Sequence, residues 1–324
     1  MTDADQPVTA APILAFAVSP DFSHDGIAFA AGAEGLLRTT DQGRTWKQIL
    51  IDPASGEPLP TTAVAVAPSF GRDARVLVAL PGGIGQSEDR GESWRFTALP
   101  LPPPLVSALT ISPAFEEDGV AFASTMEDGM FRTDDHGESW FPWNFGLFDH
   151  AVLAVAISPR FSHDKTVYAG TTSGLYRSTN RGRSWQPLPS RIDCPTILSI
   201  AVATTSSGEA ALFAGTEEHG LLRLDPNSAG AERIDDAALP SMVPAISCSC
   251  DLVGSRESLV VLGEDRVVQS TDGGVTWTPV RHLPVSAEDM TAVSPLVASG
   301  DGPVIFASTA DGKIHCLALR EVVA

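Results

Sequence analysis

Cysteine is scarce in this chain: Cys194, Cys248, Cys250 and Cys316 are the whole complement among 324 residues. Four dispersed thiols are too few for a disulfide scaffold and point to a reducing, cytoplasmic setting. Cys248 and Cys250 share one face of an expected strand, with no further ligand at zinc spacing, so they read as core packing and no metal site is expected. Basic residues are outnumbered, 21 against 40 acidic, for a net charge of −19. A field of that sign repels phosphate backbones and anionic bilayers, which excludes nucleic acid and suits a protein partner with a basic surface. No apolar run approaches the ~20 residues of a membrane helix. The segment Met1–Pro7 is acidic and lacks the apolar stretch of a secretory signal. Also absent are a Ser-His-Asp pattern, a phosphate-binding glycine loop and a zinc signature, so no cofactor is expected. Calcium among acidic loops is a question of ligand convergence, which a sequence leaves open.

What the chain has instead is repetition. The pattern [ST]-x-D-x-G-x-[ST]-W occurs at Thr39 to Trp46, Ser87 to Trp94, Thr133 to Trp140, Ser178 to Trp185 and Ser270 to Trp277. Asn180 replaces the aspartate of the fourth copy; the other aspartates are Asp41, Asp89, Asp135 and Asp272. The residue types suit a hairpin turn, because a short Asp or Asn side chain accepts hydrogen bonds from turn amides and glycine takes a positive φ. Each tryptophan is expected to pack beneath its hairpin. Successive tryptophans of this motif lie 48, 46, 45 and 92 residues apart, so one degenerate copy is hidden in the last gap. A second motif keeps the same period: Ser19-Pro20-Asp21-Phe22, Ala67-Pro68-Ser69-Phe70, Ser112-Pro113-Ala114-Phe115 and Ser158-Pro159-Arg160-Phe161. Asp25, Asp73, Asp118 and Asp164 each follow three residues after the phenylalanine.

A period of 40 to 50 residues made of short alternating runs predicts an all-β, seven-bladed β-propeller of four-stranded antiparallel blades. One domain is expected over residues 1–324, with repeats near 13–50, 62–100, 106–145, 152–190, 196–236, 243–283 and 289–320. The fifth repeat has lost its tryptophan turn at Asp225 to Gly230. The seventh is a strand short, and residues near 8–11 are expected to supply its outer strand and close the ring, which would otherwise expose a sheet edge.

The turns resemble the Asp-box, or BNR, repeats of sialidases, xyloglucan-degrading hydrolases, sortilin-type receptors and photosystem II assembly factors. The resemblance covers roughly residues 13 to 319. It implies that Asp41, Asp89, Asp135, Asn180 and Asp272, with Trp46, Trp94, Trp140, Trp185 and Trp277, form structural hairpins away from any active face, and it is nearly silent on function. A sialidase-like mechanism needs a tyrosine nucleophile and an arginine cluster. Only Tyr168 and Tyr176 exist, both expected mid-strand, and Arg38, Arg132, Arg177 and Arg223 recur around the ring rather than converging. No catalytic residue is therefore assigned.

The opposite rim carries more information. Its loops between second and third strands contain Glu34, Glu127, Asp128, Glu217, Glu218, Glu264, Asp265 and Asp311, against Arg266. Connections on the same rim bring Leu101, Leu105, Trp143, Phe145, Leu147 and Phe148. Apolar anchors ringed by one sign of charge suit protein docking. Three readings follow: a non-catalytic interaction scaffold or subunit, a glycan-binding or glycan-cleaving propeller, and an assembly factor akin to those of photosystem II. An arginine-rich docking surface is what the third resemblance implies, and this rim is acidic.

Overall fold

The computed structural model describes residues 11–100, 102–189, 195–204, 210–224, 231–249, 258–281, 283, 285–295, 297–299 and 302–318. It contains seven antiparallel four-stranded sheets in chain order, a seven-bladed β-propeller. The first blade is representative: an inner strand Ile13–Val18, a second Ala28–Gly32, a third Gly35–Thr39 and a two-residue outer strand Lys47–Gln48. The second strands are buried along their whole length in blades one to four, as apolar runs covered on both faces require.

Each junction between neighbouring blades has its own apolar cluster, and the seventh closes the circle. There Phe306 of the last blade meets Phe16, Phe22 and Trp46 of the first at ring centroid distances of 6.3, 5.7 and 5.5 Å. The Thr291 hydroxyl donates to the Ile13 carbonyl at 3.1 Å across the same junction. The faces of the first and seventh blades thus meet within one buried cluster.

The seventh blade is irregular. Met290–Val293 and Val297–Ser299 pair with successive parts of one edge of the long strand Gly302–Thr309, so they are two pieces of a broken inner strand. Ile314–Ala318 takes the other edge. Among the described residues nothing pairs the far side of Ile314–Ala318. Of the expected closing strand, residues 8–10 lie outside the described residues and Ala11 is in a bend. The degenerate turn at residues 225–230 also lies outside them.

The second motif proves to be a one-turn helix between first and second strands: Phe22–Asp25, Phe70–Asp73, Phe115–Asp118 and Phe161–Asp164. Its aspartate accepts the Ser19, Ser112 or Ser158 hydroxyl at 2.7, 2.9 or 2.6 Å, and its other oxygen takes the N–H two residues on. In blade two Ala67 replaces that serine, and Ser69 bonds Asp73 in its stead. The phenylalanine is buried in every copy.

Candidate functional site

Two faces must be distinguished before any residue is given a role. The N–H groups of Gln42, Arg90, His136 and Arg181 in the tryptophan turns donate to the carbonyls of Gly26, Ala74, Gly119 and Lys165, which end the short helices. Turns and short helices therefore share one face, here called lower. On the upper face the loops between second and third strands bond the connections between blades: Gly129 N–H to His150 at 3.0 Å, Gly220 N–H to Ser241 at 2.7 Å and Ala310 N–H to Asp289 at 3.0 Å.

In the lower turns the Asp or Asn side chain is bonded within the turn, whereas the buried indole N–H groups of Trp46, Trp140 and Trp277 have no partner among the described residues. In all five, the first hydroxyl donates to the Asp or Asn oxygen at 2.6–2.9 Å. That hydroxyl oxygen accepts the glycine N–H at 2.8–3.0 Å. The same Asp or Asn oxygen takes the N–H before the tryptophan at 2.8–3.0 Å. Partial burial would raise the carboxyls of Asp41, Asp89, Asp135 and Asp272, but the hydroxyl and N–H donors outweigh it and hold all four below the usual carboxylate range. Asn180 fits the same geometry, its amide donating to the Ser184 hydroxyl at 2.7 Å. Trp46, Trp140, Trp185 and Trp277 are buried as expected; Trp94 is only half-buried, and its indole N–H bonds Gly91 at 3.2 Å.

The seven inner strands, which line the axis, carry no Asp, Glu, His, Lys or Arg among the described residues. Tyr168 and Tyr176 lie in the strands Val167–Thr171 and Gly174–Ser178 and are 3% and 6% exposed. Burial pushes the Tyr168 phenol upward, the wrong direction for a nucleophile. A cleft of about 160 Å³ on the lower face, lined by Pro68, Arg72, Pro113 and Glu116 among others, is bridged by an Arg72–Glu116 pair at 2.6 Å. Such a volume is below the ~300 Å³ at which ligand pockets begin. No three His, Cys, Asp or Glu side chains among the described residues are grouped to hold a metal ion.

On the upper face Glu127, Glu217, Glu218, Glu264 and Asp265 are exposed and Asp128 is half-buried. Asp265 is neutralised by Arg266, and Glu264 accepts the Ser241 hydroxyl at 2.9 Å. Glu34, Glu127, Asp128, Glu217 and Glu218 have no ion pair among the described residues. Leu105 is 52% exposed, and its carbonyl accepts the Met126 N–H at 3.0 Å; Leu101 lies outside the described residues.

The connection from blade three to blade four divides the expected aromatic group. Phe145 and Phe148 are 81% and 83% exposed. Leu147 is 3% exposed and belongs to the cluster between those blades, so its expected place on a docking surface is corrected: it anchors the loop from below. The Asn144 side chain clamps the loop, accepting the Met130 N–H at 2.7 Å and donating to the Asp128 carbonyl at 2.8 Å. The Phe145 carbonyl takes the Trp185 N–H at 2.8 Å. Trp143 is half-buried, with the guanidinium carbons of Arg132 and Arg183 at 5.1 and 6.0 Å from its ring, so its charged neighbours are cations rather than the expected acids. That pairing joins residues of two blades, and only the recurrence of arginine before three of the five turns, at Arg38, Arg132 and Arg177, hinted at it.

No family model and no curated protein matches the chain. Among solved structures it is similar to an ancestral GH74 enzyme, at 16% identity and a TM-score of 0.73, covering 98% of this chain and 46% of that one. It is similar to the extracellular domain of a putative one-component system from B. thetaiotaomicron, at 12% identity and 0.68, covering 96% and 39%. The chain thus spans less than half the length of those two. A third is YCF48 bound to D1 peptide, at 18% identity and 0.64, covering 99% and 95%. What these likenesses share with the present chain is the seven-bladed fold.

Proposed function

We propose that this propeller is a non-catalytic interaction module, a rigid scaffold or subunit of a larger assembly. It docks a protein partner through the connection between blades three and four and the acidic loops beside it. The observation that carries this reading is the pair Phe145 and Phe148, held almost fully exposed on a loop that Leu147, Asn144 and Trp185 fix in place. Rings used only for packing would be turned inward, and preorganised exposed aromatics are the usual anchors of an interface. The net charge of −19 and Glu127, Asp128, Glu217 and Glu218, which have no ion pair among the described residues, support a partner with a mainly basic surface and disfavour nucleic acid. YCF48 bound to D1 peptide supports the view that a propeller of this length can hold a peptide. Few cysteines support a cytoplasmic location.

A glycan-binding or glycan-cleaving role is the second reading, supported by the likeness to GH74 enzymes. The inner strands without ionisable carboxyl or imidazole groups and the buried tyrosines weigh against it. The test is capture of partners from the source cell by wild type and by the Phe145→Ser/Phe148→Ser variant. Loss of a specific partner with an unchanged melting curve supports the docking surface. Equal capture by both proteins overturns it, and release of reducing sugar from xyloglucan by pure protein favours the second reading.

A further inference from the structure

The repeats allow one blade junction to be read against another. At the junction of blades one and two, Arg38, which precedes the first turn, reaches the next blade's turn: it donates to the Glu92 carboxylate at 2.6 Å and to the Arg90 carbonyl at 2.7 Å. The intramolecular pair completes that junction. At the junction of blades three and four the same two positions hold Arg132 and Arg183. The carboxylate is gone and a second guanidinium stands in its place, beside the Trp143 ring that both arginines approach. Arg132 is 3% exposed; it keeps one partner, Asp134, at 2.9 Å through Nη1, while its buried Nε has none. Arg183 is exposed and forms no ion pair among the described residues.

The surroundings strengthen the asymmetry. Around the fourth turn Arg160, Lys165 and Arg181 also have no ion pair among the described residues, and Asn180 has removed the aspartate charge. Asp164, the local acid, is committed to the Ser158 hydroxyl and the Thr166 N–H. In a chain with about twice as many acids as bases, four neighbouring cations without a carboxylate are a departure from what surface charges do by default. A desolvated guanidinium with an unused N–H is costly, and a planar bidentate carboxylate is the group that matches it.

We propose that the Arg132/Arg183 pair beside Trp143 is a subsite for a carboxylate brought by the protein partner, filling the place that Glu92 fills internally one junction earlier. This rests on the docking role proposed above and refines it: a partner with a mainly basic surface contributes one acidic side chain here, where the lower turn of blade four meets the connection that carries Phe145 and Phe148, the Trp185 N–H bonding the Phe145 carbonyl. The subsite fixes the register of docking.

Arg183→Glu tests this, because it should rebuild the internal pair and close the subsite. The probe is a short capped peptide alternating glutamate and phenylalanine, with its glutamine counterpart as control. Binding is followed in wild type and variant by ¹⁵N spectra of the Arg132 Nε–H and the Trp143 indole N–H. The expected result is saturable millimolar binding of the glutamate peptide, roughly tenfold tighter than the glutamine peptide. That preference should vanish in Arg183→Glu, while the melting temperature is unchanged or higher. Equal affinity for the two peptides, no saturable shift at all, or wild-type binding by Arg183→Glu each overturns the proposal. A variant that still captures the partner as wild type does, where Phe145→Ser/Phe148→Ser does not, overturns the subsite and leaves the docking surface standing.

Discussion

Two adjacent glycines in the last tryptophan turn separate the effect of backbone conformation from that of packing. Gly273 and Gly274 have φ of 74° and 83°, so an alanine at either position carries similar left-handed strain, about 1 kcal/mol. Space distinguishes them. A Cβ on Gly273 meets nothing within 4 Å, whereas one on Gly274 would lie 2.6 Å from the Phe213 ring of the preceding blade. Phe213 is fully buried and has no room to recede, so overpacking adds about 1–3 kcal/mol. Alanine also narrows the unfolded ensemble, offsetting about 0.4–1 kcal/mol at both sites. Gly273→Ala should therefore cost about 1 kcal/mol or less, and Gly274→Ala about 1–3.5 kcal/mol. At about 2 °C per kcal/mol for a large domain, thermal melting followed by circular dichroism resolves the difference. Gln42, Arg90, His136 and Arg181 occupy the Gly273 position elsewhere at φ of 62–64°, which agrees with the smaller cost. Equal losses for the two variants would refute the idea that the turn glycine is where one blade is wedged onto the next.

Other consequences can be measured separately. Leu147→Ala should lose about 2–5 kcal/mol in urea unfolding, while Phe145→Ser stays within about 0.5 kcal/mol of wild type; similar losses would mean that the two side chains do not divide into anchor and exposed ring. Phe306→Ala, which empties the contact with Phe16, Phe22 and Trp46, should cost about 3–5 kcal/mol, and a small loss would show that the first and seventh blades are held together by something else. The carboxyls of Asp41, Asp89, Asp135 and Asp272 are depressed in the folded state, so their stabilising effect is complete above the ordinary value of 3.8 and is lost as pH falls below it through the lowered folded values. Replacing Asp135 by Asn should remove that residue's share of the acid limb and lose at pH 7 what its carboxylate contributes, and an acid limb as steep as wild type would argue against the turn carboxylates. The Asp311 carboxyl, bonded by Lys313 and Thr309, is held at about 2; carbon-detected titration should find it moving toward 3.8 in Lys313→Ala, and no movement would remove the lysine as the cause.

The lower turns were legible because their hydrogen bonds close within eight residues. Hydroxyl, aspartate, glycine and tryptophan each answer a local requirement, so a spacing in the sequence is also a spacing in space. The short helices were visible as a motif but not as helices: four residues from Phe22 to Asp25 carry no helical period. The break in the seventh inner strand, around Ser294 and Pro295, was missed because Val297–Ser299 is too short to register as a strand on its own. Leu147 could not be told from Phe145 and Phe148 because all three are apolar in an irregular segment, and which one turns inward is decided by Trp185 of the next blade. The Arg132–Trp143–Arg183 contact likewise depends on two blades meeting, which no local pattern encodes.

The most direct test of the account is a photo-crosslinking residue placed at Phe148 and, in a separate protein, at Val275, an equally apolar and 66% exposed site on a lower turn. Irradiation in the source cell should give one discrete protein adduct from position 148, abolished by Phe145→Ser, and none from position 275. Adducts of the same pattern from both positions, or no discrete adduct from position 148, would contradict the assignment of that connection as the docking surface.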